Sequence, residues 1–317
     1  MSGNNTGNTS ALIRQELYQA ELEEILHERL TGTPFVREVP FPDGNILTMP
    51  SISTPVVRDL PEGTEITFDT LDSGQVSIKL NAPIVSANKF TAVLQEDSFW
   101  ASEMISSVPA EQATAIMERF ETDVFALANR QFLGANNANV INGFAHRKVG
   151  SGTGQTATPT DFSYANLALT KAKIPEMGRV AFVDPTVAYW LENSTNIVNV
   201  SNNPRWEGII ETGMQKEFKF IRNIFGFDVF STNFLADATE TIAGKTTTSG
   251  KANIFLSMAN ERLLPFVASW KARPTMRVKE RFTFDNELQI YTRARYGTGL
   301  VRDENLFVLL TDTNIAL

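Results

Sequence analysis

Few residues of this chain have the type and spacing that catalysis or metal binding requires. The 317 residues include two histidines, His27 and His146, and no cysteine, which leaves out disulfides, thiolate catalysis and sulfur-ligated metals. No HExxH, GxSxG or paired-histidine spacing occurs. Carboxylates are plentiful, but most lie in helix-face or turn patterns, where a solvated charge is the expected role. The sequence therefore predicts no catalytic, cofactor-binding or metal-binding residue.

A glycine-rich stretch at residues 150–154 could suggest a phosphate-binding loop. Such a loop follows a strand and leads through Lys-Ser or Lys-Thr into a helix. Here no strand pattern leads into the glycines, and Gln-Thr-Ala-Thr-Pro follows at residues 155–159. We interpret the stretch as a flexible loop.

The overall charge argues against a dedicated nucleic-acid-binding protein. The net charge is -8 and the pI is near 5.0, whereas nucleic-acid binders usually carry a basic stripe. The acidic balance fits ordinary solubility or a surface that lies near DNA without adhering to it. Residues 1–10 lack the features of a signal peptide and no apolar run reaches 18 residues, so we expect no leader and no contact with a membrane.

The first half of the chain predicts a helix, then a β-hairpin. Residues 11–30 have an apolar stripe opposite an acidic side, and Gly32 and Pro34 end the helix. Prolines forbid long helices in residues 34–85. Alternation in 66–70 and again in 76–80, around a turn at 72–74, predicts a hairpin with one apolar face. That face needs a cover, which either the protein's own sheet or a neighbouring subunit can supply.

A long helix is predicted for residues 109–133. Pro109 suits the first turn, and Ile116, Phe120, Val124 and Leu127 form one apolar stripe. At 1.5 Å per residue such a helix is nearly 40 Å long, roughly twice the usual length.

The following block, residues 161–270, predicts alternating helices and strands. A helix over 161–174 has Asp161 as its cap, and a buried strand at 180–183 is followed by a helix with Asp184 at the N-cap and Pro185 at the first position. Further strands are predicted at 225–230 and 254–256.

The last block predicts a hairpin with one strongly basic face. A turn at 285–287 that pairs Phe284 with Leu288 puts Lys279 opposite Arg293 and Arg277 opposite Arg295. Like charges directly opposite each other are destabilising by about 0.2–1 kcal/mol per pair, so this face must meet an anionic partner or leave its side chains splayed in solvent. We call it the basic face; it consists of Arg277, Lys279, Arg281, Arg293 and Arg295.

The order of these segments resembles the major capsid proteins of tailed phages with the Hong Kong 97-type fold. The resemblance is carried by the long helix with its Gly/Asn loops at 134–136 and 142–144, by the strand–Asp-Pro–helix unit, and by the closing strand at 306–310. It implies an α+β fold with an N-terminal arm (1–33), an extended hairpin loop (34–85), a peripheral domain (86–174) with the long helix as its spine, an axial domain (175–270) and return strands of the peripheral domain (271–317).

The resemblance also implies a function. The chain would be a major capsid protein that self-assembles into hexamers and pentamers, forming an icosahedral shell around the double-stranded DNA of the phage. A separate scaffolding protein and a portal are implied partners. Nothing marks Lys79 or Lys89 as a cross-linking residue, so that chemistry is not expected. The alternatives are another phage structural protein, such as a tube or decoration protein, and a carboxylate-based enzyme.

In such a shell, specific residues are expected to form contacts between subunits. The hairpin loop would lie across the adjacent subunit, with Phe68 and Ile78 on its apolar face. The basic face would meet carboxylates, packaged DNA or solvent, and we favour carboxylates because basic residues are not concentrated elsewhere. The candidate acidic partners are the arm helix and a neighbour's hairpin, with residues Glu21, Glu24 and Glu28 and residues Glu65, Asp69 and Asp72, respectively.

Overall fold

The structure, a computed structural model, has the α+β class that the sequence predicts. It describes residues 35–41, 44–52, 57, 59, 62–63, 65–66, 68, 70, 73–97, 101–129, 138–193, 220–281 and 287–313. The predicted arm helix at 11–30 lies outside these residues. The helices are Ala92–Asp97 (α1), Ala101–Ala126 (α2), Pro159–Lys171 (α3) and Pro185–Asn193 (α4).

The strands run in chain order from β1 to β16, with short 3-10 turns at 127–129, 153–155, 261–263 and 303–305. Their bounds are Val36–Glu38, Ile46–Ile52, Ser73–Lys79, Ile84–Phe90, Val140–Ile141, Phe144–Ala145, Arg147–Val149, Arg179–Val183, Phe220–Ile224, Phe227–Ser231, Thr241–Ile242, Lys245–Thr246, Gly250–Ser257, Phe266–Arg281, Glu287–Leu300 and Phe307–Asp312.

A six-stranded mixed sheet has both faces buried, in the order β7-β16-β13-β8-β10-β9. Alternate residues of each central strand point to different cores: Ile254 belongs to one cluster and Phe255 to the other. Helices α3 and α4 pack on one face of this sheet, and α2 contributes to the core on the other. Burial on both faces explains why 180–183, 254–256 and 306–310 are continuous apolar runs.

The strand–Asp-Pro–helix unit is confirmed. Asp184 lies between β8 and α4, and its Oδ2 accepts from the Thr186 backbone nitrogen at 3.0 Å, which caps the helix. The Asp184 backbone nitrogen donates to Oδ1 of Asn253 on the neighbouring strand β13 at 2.8 Å. The cap is therefore fixed to the sheet, as well as to its own helix.

The predicted helix at 161–174 begins earlier, because Thr158 is its N-cap. Asp161 is the third helical residue, and the two side chains cap the helix reciprocally. Burial alone would raise the pKa of Asp161, but hydrogen bonds from Lys148, Ser151 and Thr158 hold it below its usual value. A short strand, β7, does lead into the glycine-rich stretch, and Ser151 within that stretch donates to Asp161. The loop thus serves as part of this cap.

A four-stranded sheet, in the order β1-β14-β15-β4, packs against the long helix α2. The helix begins at Ala101, so Pro109 lies inside it, and a 3-10 turn continues to Asn129; residues 130–133 lie outside the described part. Proline removes one helical hydrogen bond, but packing of Ile105 and Val108 against the sheet offsets that loss. A long spine helix is confirmed.

Two further elements refine the prediction. The strand predicted at 225–230 is β10, which begins at Phe227 because Phe225 (φ 48°) and Gly226 (φ 84°) make a tight turn between β9 and β10. The last strand, β16, which the resemblance assigns to the return strands of the peripheral domain, lies in the six-stranded sheet between β7 and β13. Its side chains fill both of that sheet's cores, which a strand in the four-stranded sheet could not do.

Aromatic contacts join the long helix to the four-stranded sheet. Phe120 is buried, and its ring centroid lies 5.0 Å from that of Trp270 and 5.1 Å from that of Tyr296. The Tyr296 hydroxyl donates to Oδ2 of Asp123 at 2.8 Å, and its burial and this carboxylate raise the Tyr296 pKa. The helix is thereby fixed to both β14 and β15.

We expect Phe120→Ala to lower the free energy of unfolding by about 3–5 kcal/mol, because it opens a cavity among these rings. Denaturant unfolding of the purified subunit measures this. Glu118→Ala, at an exposed position of the same helix, should change stability by less than about 0.5 kcal/mol. Equal effects of the two changes would show that the stripe is not a core face.

The free energy of unfolding should also fall as the pH is lowered, because His146 is buried in its neutral form. This histidine is fully buried, with Nδ1 3.2 Å from the Leu306 carbonyl oxygen, and desolvation lowers its pKa below 6.5. The unfolded chain therefore binds a proton at His146 more readily than the folded chain does. The stability that neutral His146 contributes is complete above pH 6.5 and is lost as the pH falls below that value. Unfolding curves between pH 7.5 and 5 for wild type and His146→Asn should diverge in slope; parallel curves would contradict the assignment.

Candidate assembly surfaces

The predicted hairpin has a different first strand from the one expected. Strand β3 pairs with β2, from Ile46 opposite Lys79 to Ile52 opposite Ser73. The described residues of 66–70 lie outside strands. Pro50 lies within β2, and proline is tolerated there because β2 is an edge strand.

Strand β3 packs against the body of its own subunit. Ile78 is only 1% exposed, and its Cγ1 would lie 2.7 Å from a Cβ at Gly299 on β15. A Cβ at Gly297 would lie 2.8 Å from the Lys79 carbonyl oxygen. Two glycines therefore let β3 approach β15 closely. This corrects the expectation that Ile78 lies on an uncovered apolar face.

The connection between β2 and β3, residues 53–72, presents apolar side chains to solvent. Phe68 is 92% exposed and Ile66 is 59% exposed, and Val57 is exposed as well. Glu65, the described member of the predicted acidic set in this connection, is also exposed. Asp69, Asp72, Glu21, Glu24 and Glu28 lie outside the described residues, so their contacts stay predictions. The connection thus combines uncovered apolar groups with acidic ones.

The basic face exists, but its register differs from prediction by four residues. Arg277 pairs with Tyr291, Lys279 with Gln289, and Arg281 with Glu287. The observed pairs centre the hairpin on residue 284, whereas a Phe284–Leu288 pair centres it on residue 286, and this two-residue displacement changes each pairing by four. An even shift keeps every residue on the same face. The predicted facing pairs of like charge are therefore wrong, while the shared basic face is confirmed.

The charged groups of this face fall into two kinds. Arg277, Lys279 and Arg293 are exposed and form no ion pair with a described residue. Arg295 differs, because its guanidinium donates to the Asn81 carbonyl oxygen and to Asn45 Oδ1, both at 3.3 Å. Arg295 therefore ties β15 to the segments flanking the β2–β3 pair, which is a structural role within the subunit.

Sequence reasoning missed one ion pair beside this face. Lys89 on the edge strand β4 lies 3.0 Å from Oε1 of Glu287, which had been placed in the turn. Gln112 was also missed: its side chain, buried against the sheet, donates to Asn88 and accepts from Thr292 at 2.7 Å. Only the observed pairing of β4 with β15 brings these residues together, and no local pattern signals it.

The described residues contain no group of three or more His, Asp or Glu side chains placed to hold a metal ion. None of the described helices is both long and apolar enough to cross a membrane.

Solved phage capsids share this architecture. The capsid structure of cyanophage P-SCSP1u is 15% identical, with a TM-score of 0.64 over 89% of this chain and 87% of the other. The mature capsid of bacteriophage PhiM1 is 12% identical, with a TM-score of 0.63 over 89% and 86%. The capsid of Ralstonia phage GP4 is 11% identical, with a TM-score of 0.61 over 89% and 88%. The similarity confirms the Hong Kong 97-type fold.

A comparison of the sequence with protein-family models identifies the family. No curated protein matches the chain. A family model described as phage capsid protein matches residues 92–308, well over half of the chain, from helix α1 into the last strand β16. A capsid protein is a structural component of the virion, which agrees with the expectation of no enzymatic function. The chain belongs to the phage capsid protein family.

Proposed function

We propose that copies of this capsid protein associate as hexamers and pentamers into an icosahedral shell that encloses double-stranded DNA. The observation that carries this proposal is the connection 53–72, whose exposed Phe68 and Ile66 have no cover in the single chain among the described residues. Large apolar side chains exposed together mark contact sites. A shell supplies the cover, because every subunit then lies against adjacent copies.

The charge distribution supports the same assembly. Arg277, Lys279 and Arg293 crowd one face of a protein whose net charge is -8. Such a face favours carboxylates of an adjacent subunit, and Glu65 on the connection is an exposed candidate. The acidic balance elsewhere suits a wall that encloses DNA without binding it tightly.

We further propose that a separate scaffolding protein guides assembly and that a portal occupies one vertex. Co-expression with its genomic neighbours tests this: shells of uniform size should form with the scaffold, and irregular aggregates without it. Uniform shells from the capsid protein alone would contradict the need for a scaffold.

The same substitution at two positions of this region should have opposite results. Phe68→Asp should leave thermal unfolding of the subunit unchanged, because the side chain is already in water, but should prevent shell formation. Ile78→Asp should destabilise the subunit by several kcal/mol, because it places an unpaired carboxylate in a packed site. Calorimetry and negative-stain microscopy measure the two effects. Normal shells from Phe68→Asp would contradict the contact.

Charge reversal on the basic face should block assembly without unfolding the subunit. We expect Arg277→Glu with Lys279→Glu to abolish shells at low salt, where charge pairs are least screened. Arg262→Glu with Lys245→Glu is the matched control, since both residues are exposed and the change in charge is identical. Equal loss in both variants would assign the effect to net charge, and normal shells from the first would remove the proposed role of the face.

A further inference from the structure

Strand β4 forms one edge of the four-stranded sheet and is open along its length. It pairs with β15 on one side, from Ile84 opposite Ala294 to Phe90 opposite Leu288. No strand of the described chain pairs with its other side. Within that part of the chain, the backbone of 84–90 also forms no hydrogen bond outside the β4–β15 pair. The outward-pointing N–H and C=O groups of this strand are therefore available for another strand.

Both faces of the sheet are exposed to solvent at this edge. Val85, which is 55% exposed, and Ala87, which is also exposed, lie on the same side of the sheet as the basic face. Asn88 lies on the side of helix α2, where Gln112 donates to its side chain, yet Asn88 is exposed as well. The helix therefore does not cover the edge, which leaves room for the side chains of a further strand.

The strand carries little that would prevent pairing. Edge strands that stay unpaired commonly contain charges or proline, or lie under a covering segment. The charged residue of 84–90 is Lys89, and its Nζ lies 3.0 Å from Oε1 of Glu287 on β15. That charge is compensated within the subunit. Proline occurs just before the strand, at Pro83, and not within it.

The sequence of β4 is complementary to itself in the antiparallel direction. Because side chains alternate between faces, two copies keep like faces together only when one residue lies opposite its own copy on a twofold axis. Ala87 is the central residue of 84–90, so an axis at Ala87 pairs all seven residues of the strand. The residue that faces itself then has a small, uncharged side chain.

On the helix side, this register joins side chains of like character. Ile84 of one copy lies opposite Phe90 of the other, and both pack into apolar clusters of their own subunits. Ser86 lies opposite Asn88 of the other copy, and these two side chains can donate to and accept from each other. Apolar groups thus meet apolar groups, and polar groups meet polar ones.

On the outer side, the register keeps the lysines apart. Lys89 lies opposite Val85 of the other copy, so the two Lys89 side chains are separated by four residues, about 13 Å. This exceeds the screening length of about 8 Å at physiological salt. Arg293 lies one strand beyond Val85, about 10 Å from that Lys89, whose charge Glu287 already compensates.

We propose that two copies of this protein pair through their β4 strands, antiparallel and with Ala87 on a twofold axis, so that two four-stranded sheets join into one. A contact between two seven-residue edge strands is smaller than the roughly 1,200–2,000 Å² that stable complexes bury. The pairing therefore forms in shells, where other contacts hold the copies together. This inference rests on the proposed shell, but it names a contact separate from that of the connection 53–72, which a shell could lack.

Charged residues at position 87 test the self-pairing, because a residue on a twofold axis faces its own copy. Ala87→Lys and Ala87→Glu should each lower the yield of shells severalfold at low salt, since like charges then lie opposite each other. Thermal unfolding of the free subunits should not change, because Ala87 is exposed. An equimolar mixture of the two variants should restore shells, and the neutral control Ala87→Ser should assemble like the wild type.

The mixture separates self-pairing from any other occupant of the edge. Loss of shells with one charged variant alone, or loss with both and no rescue on mixing, would assign the edge to a different segment or protein and overturn the proposal. Shells at wild-type yield from both charged variants would overturn it too.

Disulfide formation tests the register, because the natural chain has no cysteine. Oxidised shells of Ala87→Cys should yield disulfide-linked dimers on a denaturing gel, since a disulfide needs Cα atoms within about 7 Å. Val85→Cys is the matched control on the same face of the same strand; its two copies lie about 13 Å apart and should stay monomeric. Monomeric Ala87→Cys in intact shells, or equal dimers from both variants, would overturn the register. Failure of the wild-type protein to form shells would instead count against the proposed function.

Discussion

The packing of helix α2 against strand β15 is the contact on which the rest of the subunit depends. The helix carries Phe120 into the aromatic cluster with Trp270 and Tyr296, and its earlier turns cover Met276 and Ile290 near the far end of the hairpin. The same helix ends beside the six-stranded sheet, where Phe125 contacts Phe182. One helix therefore packs against both sheets and holds them in a fixed relation.

The long helix covers one face of the four-stranded sheet and leaves the other face exposed. The inner face of β14, β15 and β4 is covered by the helix, whereas the outer face exposes Arg277, Lys279 and Arg293. The connection 53–72 leaves the body at the other end of β15, with Phe68 and Ile66 uncovered. A free subunit therefore exposes a basic face at one end and an acidic, apolar segment at the other. Identical copies arranged head to tail could satisfy both, and a closed ring results when the rotation between them closes.

The sequence predicts those elements whose pattern is local. Asp184 and Pro185 mark a helix start that needs no tertiary information, and the apolar stripe through Phe120 and Val124 gives the face of the long helix. The continuous apolar runs at 180–183 and 306–310 predict strands, although not which sheet they join. Both lie in the same sheet because each has apolar residues on both faces, which is a global requirement.

What the sequence does not predict depends on tertiary context. Pro50 and Pro109 both argue against the element that contains them; Pro50 is tolerated because β2 is an edge strand, and packing of helix α2 against the sheet overrides the preference of Pro109. The register of β14 with β15 at the basic face depends on where the hairpin is centred, and the bulges near Ala272 change the pairing beyond Thr275; neither has a sequence signature here. The basic face was predictable because an even shift in register preserves the face. The role of Arg295 was not, since its partners Asn45 and Asn81 come from distant parts of the chain.

The central claim is that subunits are joined where the connection 53–72 of one copy meets the four-stranded sheet of the next. Cryo-electron microscopy of shells assembled from the purified protein tests it most directly. The account predicts density for Phe68 and Glu65 against the four-stranded sheet of an adjacent subunit, with Glu65 beside its basic face. A shell in which the connection folds back on its own subunit, with Arg277 and Lys279 facing only solvent, would contradict it.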